Sequence, residues 1–273
     1  MTGAFSPEHA LPHPYVFADS GRRERDRLQL LARLTDPAHQ RALRAGGLRA
    51  GLRCLELGSG TGTIAAWMAD QVGPRGHVLA TDINLSFLSD LRRPNLSVRE
   101  LDVLTDELPR GAFDLVTCRA LLHHLPRPES VVERLAKALR PNGVLVLMEP
   151  DAGAAVFGGP EHQRFWSAWC RWGQGAGIDF RLGHKLPRIV RRAGLDLGDV
   201  TMEVPFYSGG SPWGELYRST VRAAGPGLSS WIGPDPVAEF ESLTAPDSHP
   251  MCSFGWVTVC GRAASGTKAV RAR

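Results

Sequence analysis

Short apolar runs alternate with amphipathic stretches from about residue 50 to residue 150. Leu52-Arg53-Cys54-Leu55-Glu56-Leu57 is a run of strand type, and Thr61–Ala69 reads as the start of a helix. His77–Asp82 is a second strand, and further alternations of strand and helix follow up to Pro150. Such alternation predicts a parallel sheet covered by helices on both faces. Upstream, Leu28, Leu31, Leu34 and Leu43 recur among charges at helical spacing over residues 21–45, and Gly46, Gly47 and Gly51 mark the turn into the first strand.

Beyond Pro150 the pattern changes. A helix is predicted over 161–176, carrying Phe165, Trp166, Trp169 and Trp172, and a second over 183–193, ended by Gly194. Leu197–Tyr207 alternates weakly, as a sixth strand would. Two helices broken by Gly225-Pro226-Gly227 and Gly233-Pro234 fill 212–245, and Phe254–Arg262 reads as a last strand. The tryptophan stripe suits core packing, and it equally suits a pocket for an apolar or cationic organic molecule.

Right-handed crossovers place a ligand outside the carboxyl ends of parallel strands. Four polar residues fall at such ends: Glu56, Asp82, Asp102 and Arg119. After the first strand comes Gly58-Ser59-Gly60-Thr61-Gly62, whose glycines let the backbone turn sharply and approach a ligand. The helix that follows aims free N–H groups at the same place. Asp82, twenty residues after Gly62, can accept hydrogen bonds from both hydroxyls of a ribose. The expected ligand is a nucleoside.

The spacing of this turn separates it from the dinucleotide fingerprint, because its glycines alternate as G-x-G-x-G behind an acid. Residues 56–62, ELGSGTG, resemble the first motif of the class I S-adenosylmethionine-dependent methyltransferases. GHVLATDIN (76–84) is similar to that family's second strand with its ribose-binding acid, and RELDVLTDELP (99–109) to its third strand. FDLVTCRALLHHL (113–125) is similar to strand four and its loop, and VVERLAKALRPNGVLVLMEP (131–150) to the helix, turn and strand five. The resemblance is continuous over roughly 50–150. It implies an α/β fold with a Rossmann-like sheet of seven strands, mostly parallel with an antiparallel last strand, and helical cap insertions at 161–193 and 212–245.

It also implies S-adenosyl-L-methionine as cofactor. Gly58, Ser59, Gly60, Gly62 and Ile83 would bind it, with Glu56 near its methionine end, Asp82 at the ribose, Asp102 and the Val103 backbone at the adenine, and Arg119 near the methionine portion. Tyr15 and Phe17 would serve as a lid if the Pro-rich first 20 residues close over the site. The expected organisation is an N-terminal helical segment and lid over 1–45, the cofactor-binding core over 46–150, substrate-side helices and final strands over 151–263, and a flexible tail over 264–273.

Two readings of His123-His124 stay open. One of them takes the acceptor's proton, since an imidazole titrates in the useful range. Alternatively the pair begins a helix and packs locally. Adjacent helical positions diverge by roughly 100°, so the two do not share one metal readily, and no metal site is expected.

Composition narrows the function. The net charge of +4 comes from 32 basic and 28 acidic residues, and only three of the basic ones are lysine. Arg22, Arg23, Arg25 and Arg27 are interleaved with Glu24 and Asp26, as on a solvated helix face, and no basic block marks a nucleic-acid footprint. The five cysteines form no C-x-x-C pair, which fits a reduced, cytoplasmic protein. No run of 18 apolar residues and no secretory signal is present. Strand four ends in Thr-Cys-Arg-Ala rather than the [DNS]-P-P-[YFW] of amino-methylating DNA enzymes. A small organic acceptor is expected, as in bacterial secondary metabolism. The alternatives are a relative that binds the same cofactor without methylating, as a cyclase or partner subunit, and a nicotinamide-dependent oxidoreductase.

Overall fold

A computed structural model describes residues 21–153, 159–245, 250–252 and 254–265. Tyr15, Phe17 and most of the expected tail lie outside the described residues. The strands are β1 (Arg53–Leu57), β2 (His77–Asp82), β3 (Leu96–Glu100), β4 (Phe113–Arg119), β5 (Leu139–Asp151), β6 (Asp196–Glu203), β7 (Phe206–Tyr207), β8 (Met251–Cys252) and β9 (Gly255–Arg262). The helices are α1 (Arg22–Ala45), α2 (Thr63–Val72), α3 (Pro128–Ala138), α4 (Pro160–Gly175), α5 (Leu186–Arg192), α6 (Pro212–Ala224) and α7 (Pro236–Leu243). No described helix is long and apolar enough to cross a membrane.

Seven strands form one sheet in the order β3-β2-β1-β4-β5-β9-β6. β1 to β5 run parallel, and β9 is antiparallel to both of its neighbours. The central strands are buried on both faces: Cys54 to Leu57, Leu115 to Cys118 and Val144 to Asp151 are all inaccessible. That is why they read as largely apolar runs.

The outer strands depart from the pattern in the sequence. β3 is Leu96–Glu100, displaced toward the N-terminus from the expected 99–109. As an edge strand it pairs on one side only, and its half-solvated LSVRE carries little apolar signal, whereas the more apolar Leu101–Leu104 is loop. The expected strand 197–207 divides. β6 pairs with β9, while β7 turns away to form a two-stranded ribbon with β8.

The helices after Pro150 also divide. α4, α6 and α7 build a separate aromatic cluster that includes Trp166, Trp169, Trp172, Tyr217 and Phe240. The helix expected at 183–193 as part of the cap becomes a 3-10 turn followed by α5, which belongs to the sheet. Its Leu186, Ile189 and Val190 are buried with Leu55, Leu147 and Val259.

α1 departs from expectation in a way that matters for the site. Glu24 and Arg27, read as part of a solvated face, are buried (5% and 8% exposed). Three residues apart, they share a helix face. Arg27 donates to Glu24 through Nε and Nη2 at 2.8 and 2.6 Å, and the mutual neutralisation permits their burial.

The turn from β1 to α2 needs its glycines for two different reasons. Gly62 has φ +75° and caps α2, and an added Cβ would stand 2.7 and 2.8 Å from methyl groups of Leu91 and Leu88. Gly60 has φ +53° with open space where a Cβ would be. Gly62→Ala is therefore expected to destabilise the unliganded protein by about 2–4 kcal/mol, from left-handed strain plus overpacking. Gly60→Ala should cost less, about 1–2 kcal/mol, from strain alone. Urea denaturation of the two variants measures the difference, and equal losses would contradict this assignment.

Candidate functional site

A cleft of about 2250 Å³ opens at the carboxyl ends of β1, β2, β3 and β4 and continues beneath α4 and α6. Single ligand pockets commonly measure about 300–1,000 Å³. This cleft has room for two molecules side by side. Gly58, Ser59, Gly60, Asp82, Ile83, Asp102, Val103, Arg119, His123 and His124 all line it. Glu56 and Gly62 do not.

Asp82 is built into the loop that it serves. The Gly60 N–H donates to Oδ2 at 2.8 Å and the Asn84 N–H donates to Oδ1 at 3.0 Å. Burial raises its pKa above the ordinary aspartate value, and main-chain donors from Asn84, Gly60 and Ile83 oppose the rise. Each carboxylate oxygen keeps lone pairs for a further donor, which suits the two hydroxyls of a ribose.

Asp102 lies two residues past β3. Its Oδ1 accepts from the Leu104 N–H at 2.8 Å, and its own N–H donates to Asp106 Oδ2 at 2.9 Å. Val103 is buried, and its carbonyl accepts from Arg134 on α3. The loop is thus held from behind while it lines the cleft.

Glu56 stands behind the glycine turn, 4% exposed, and its Oε2 has no hydrogen-bond partner among the described residues. Burial pushes its carboxyl up to about 8, against the opposing charge of Arg119 and the nearby Ser59 hydroxyl. Ser59 Oγ itself completes no hydrogen bond, so its contribution is weak. The unfolded chain ionises this carboxyl in the ordinary glutamate range near 4.5, while the fold keeps the proton until about pH 8. Between those values the native state binds more protons, so stability falls as pH rises. Glu56→Gln should flatten that slope in the unliganded protein. Chemical denaturation at a series of pH values checks it, and an unchanged slope would remove Glu56 as its source.

Arg119, at the end of β4, donates to Asp36 and Thr35 of α1. Its charge therefore ties α1 over the cleft. Beneath it, His39 Nε2 lies 2.8 Å from Thr117 Oγ1, and burial followed by the Arg119 charge lowers this imidazole to about 3. His39 is a neutral structural residue.

After Arg119 the chain turns through Ala120, a non-glycine residue at φ +51°, into a 3-10 turn over Leu122–His124. Glu149, fully buried at the end of β5, holds this turn. Its Oε1 accepts from the N–H groups of Leu121 and Leu122 at 3.0 and 2.8 Å, and its Oε2 lies 2.7 Å from His123 Nδ1. A carboxylate serving main-chain donors in this way acts as an acceptor, so Nδ1 carries the proton of that contact. His123 Nε2 then presents a lone pair. His124 is different. Burial, with the charges of His123 and Arg27, lowers its pKa well below the ordinary value, so it holds a proton poorly. Among the described residues no three histidine, cysteine or acidic side chains gather as metal ligands.

Sequence reasoning missed Glu149, although it ends an apolar strand as Glu56 and Asp82 do. It also missed a parallel pair two residues on. Asp151 Oδ2 accepts from the His184 N–H at 2.6 Å and lies 2.7 Å from His184 Nδ1. Trp166 and Trp169 belong to the cap's core and also line the cleft, together with Phe180, Phe254 and Trp256, while Trp172 is in the core alone.

A family profile described as a methyltransferase domain matches residues 23–199. Over 114 residues the chain is 30% identical to the ubiquinone/menaquinone biosynthesis C-methyltransferase UbiE of Nitrosospira multiformis, covering 40% of this chain and 47% of that protein. The chain thus spans about half the length of the curated relatives it matches. Among solved structures it is similar to YcgJ of Bacillus subtilis, with a TM-score of 0.60, 14% identity, and coverage of 85% of this chain and 100% of the other. It is also similar to the 4+2 cyclase SpnF, with a TM-score of 0.57, 19% identity, and coverage of 85% and 82%. At these identities the likeness to solved structures is one of fold.

Proposed function

The chain belongs to the class I S-adenosylmethionine-dependent methyltransferase family, and from that premise we propose that it methylates a small, largely apolar organic acceptor held beneath the aromatic cap, with His123 as the base. The observation that carries this reading is the continuity of the cleft. Gly60 and Asp82 stand at one end, Trp166 and Phe254 at the other, and His123 also lines it.

The residues present fit the cofactor. The open Cβ position at Gly60 leaves a cradle, the Asp82 oxygens keep free lone pairs, and the orphaned Glu56 Oε2 adds acceptor capacity behind the turn. In this reading Asp82 and Ile83 hold the ribose, Asp102 and Val103 the adenine, and Gly58, Ser59 and Gly60 the methionine side. Gly62, packed on Leu88 and Leu91, shapes the turn from outside the cleft, Glu56 braces it, and Arg119 anchors α1 over it. When bound, S-adenosyl-L-methionine supplies an electrophilic methyl group on a cationic sulfur. The chain's own task is to align the acceptor, exclude water and remove one proton. His123 Nε2 accepts that proton, while Glu149 keeps Nδ1 protonated and stabilises the resulting imidazolium.

An aromatic acceptor with a phenolic hydroxyl suits these parts. Loss of its proton activates either the oxygen or a ring carbon as nucleophile. The ubiquinone/menaquinone relatives are named as C-methyltransferases, so carbon is the first choice to test. The experiment is calorimetry with S-adenosylhomocysteine, followed by transfer of labelled methyl to a panel of phenols and their non-phenolic analogues. Binding without transfer to any acceptor would favour a non-methylating role. No binding of either form of the cofactor, with heat from NAD instead, would overturn the reading.

A further inference from the structure

Charge along the cleft is divided. Its sheet end is lined by Asp82, Glu100, Asp102 and Asp106, together with Arg119, which is paired with Asp36, and the Glu24–Arg27 pair, and its cap end by Arg171, Arg181, His184 and Lys185. Two acids also lie near the cap end, but both are paired. Lys185 Nζ lies 2.6 Å from Asp179 Oδ2, and Asp151 holds His184. Arg171 and Arg181 have no carboxylate partner among the described residues.

Their placement is specific. Ser167, Cys170, Arg171 and Gln174 are the polar cleft-lining residues of α4, and their spacing puts them on one helix face. Arg181 reaches that face from the following loop, where its guanidinium bears on the Cys170 thiol. The two guanidinium groups therefore flank one turn of α4. Both side chains are exposed, so they stand at the cleft's open rim, whereas Trp166, Phe180 and Phe254 are buried within.

An apolar wall ending in two guanidinium groups with no carboxylate partner among the described residues selects for shape at one end and for negative charge at the other. Resting on the proposed methyl transfer, we infer that the acceptor carries an oxyanion, of carboxylate or sulfonate type, remote from the reacting atom, and that Arg171 and Arg181 bind it. Guanidinium groups match such planar or tetrahedral oxyanions through paired N–H donors. The same charges repel an ammonium, so the aromatic cap is not a cage for a cationic amine. Because the oxyanion lies away from the reacting atom, its binding acts on KM rather than kcat.

The probes are 8-anilinonaphthalene-1-sulfonate and N-phenyl-1-naphthylamine, which share one ring skeleton and differ by the sulfonate. Each is titrated by fluorescence in the presence of saturating S-adenosylhomocysteine, so that the sheet end is filled. In Arg171→Gln/Arg181→Gln, binding of the sulfonate probe should weaken about tenfold, a modest figure because both arginines are solvated, while the neutral probe binds as before. Added salt should weaken only the sulfonate probe, and only in the wild type. Equal weakening of both probes, no change in either, or no binding of the sulfonate probe to the wild type would overturn the inference. Heat from S-adenosylhomocysteine reports separately on the methyltransferase reading, because neither arginine lies at the cofactor end.

Discussion

Replacing His123 by alanine is expected to lower the single-turnover rate of methyl transfer by about 10²–10⁴-fold, with cofactor affinity nearly unchanged. The expectation rests on the Glu149 carboxylate, 2.7 Å from Nδ1, which leaves Nε2 as the basic atom. The wild-type rate should rise with pH through one ionisation, and the variant should lose that step. His124→Ala should keep it, because burial already strips that ring of basicity. Glu149→Gln separates positioning from packing. Its amide oxygen can still serve the Leu121 and Leu122 N–H groups, but its NH₂ group would face Nδ1 and drive the imidazole proton onto Nε2. A large rate loss with His123 still present, together with a lost pH step, is the expected signature. Near-wild-type rates in His123→Ala and Glu149→Gln would return the pair to a packing role and leave alignment as the source of catalysis.

Asp82→Ala should weaken S-adenosylhomocysteine by at least about a hundredfold, since two hydrogen bonds to a charged acceptor are each worth about 1.5–3 kcal/mol. Part of the loss comes through the protein itself. The carboxylate also ties the Gly60 and Asn84 N–H groups, so its removal loosens the turn that must fit the cofactor. Asp82→Asn keeps one oxygen acceptor and should lie between the wild type and the alanine variant. Calorimetry gives the dissociation constants, and the melting temperature without ligand shows whether the fold survives. Full affinity in Asp82→Ala would take this residue out of the cofactor site.

The parts of the molecule that were legible beforehand share a physical cause. The middles of β1, β4 and β5 are covered on both faces, so most residues there are apolar, and the run is visible without any partner. Asp82 and the glycine turn were visible because left-handed backbone and the Gly60–Asp82 hydrogen bond restrict residue type at fixed spacing. β3 and β6 were blurred because an edge strand meets solvent along one side and tolerates polar residues. β7 left the sixth strand for the same reason that β8 exists: the two short segments pair only with each other across more than 40 intervening residues.

The amino-acid sequence by itself determined the order of the core strands and helices, the glycine turn and Asp82 at the strand ends, and the aromatic character of the cap. These depend on local periodicity and on residues close along the chain. Tertiary structure alone decided that the two histidines differ, because Glu149 reaches His123 from a neighbouring strand 26 residues away and burial lowers the basicity of His124. It also decided that Glu24 and Arg27 turn inward, that Arg119 faces Asp36, and that α5 joins the sheet. Each of these depends on a charge being neutralised, or an apolar face covered, by a group that only folding brings near. Burial energy is a property of the final neighbours, and the order of residues along the chain does not name them.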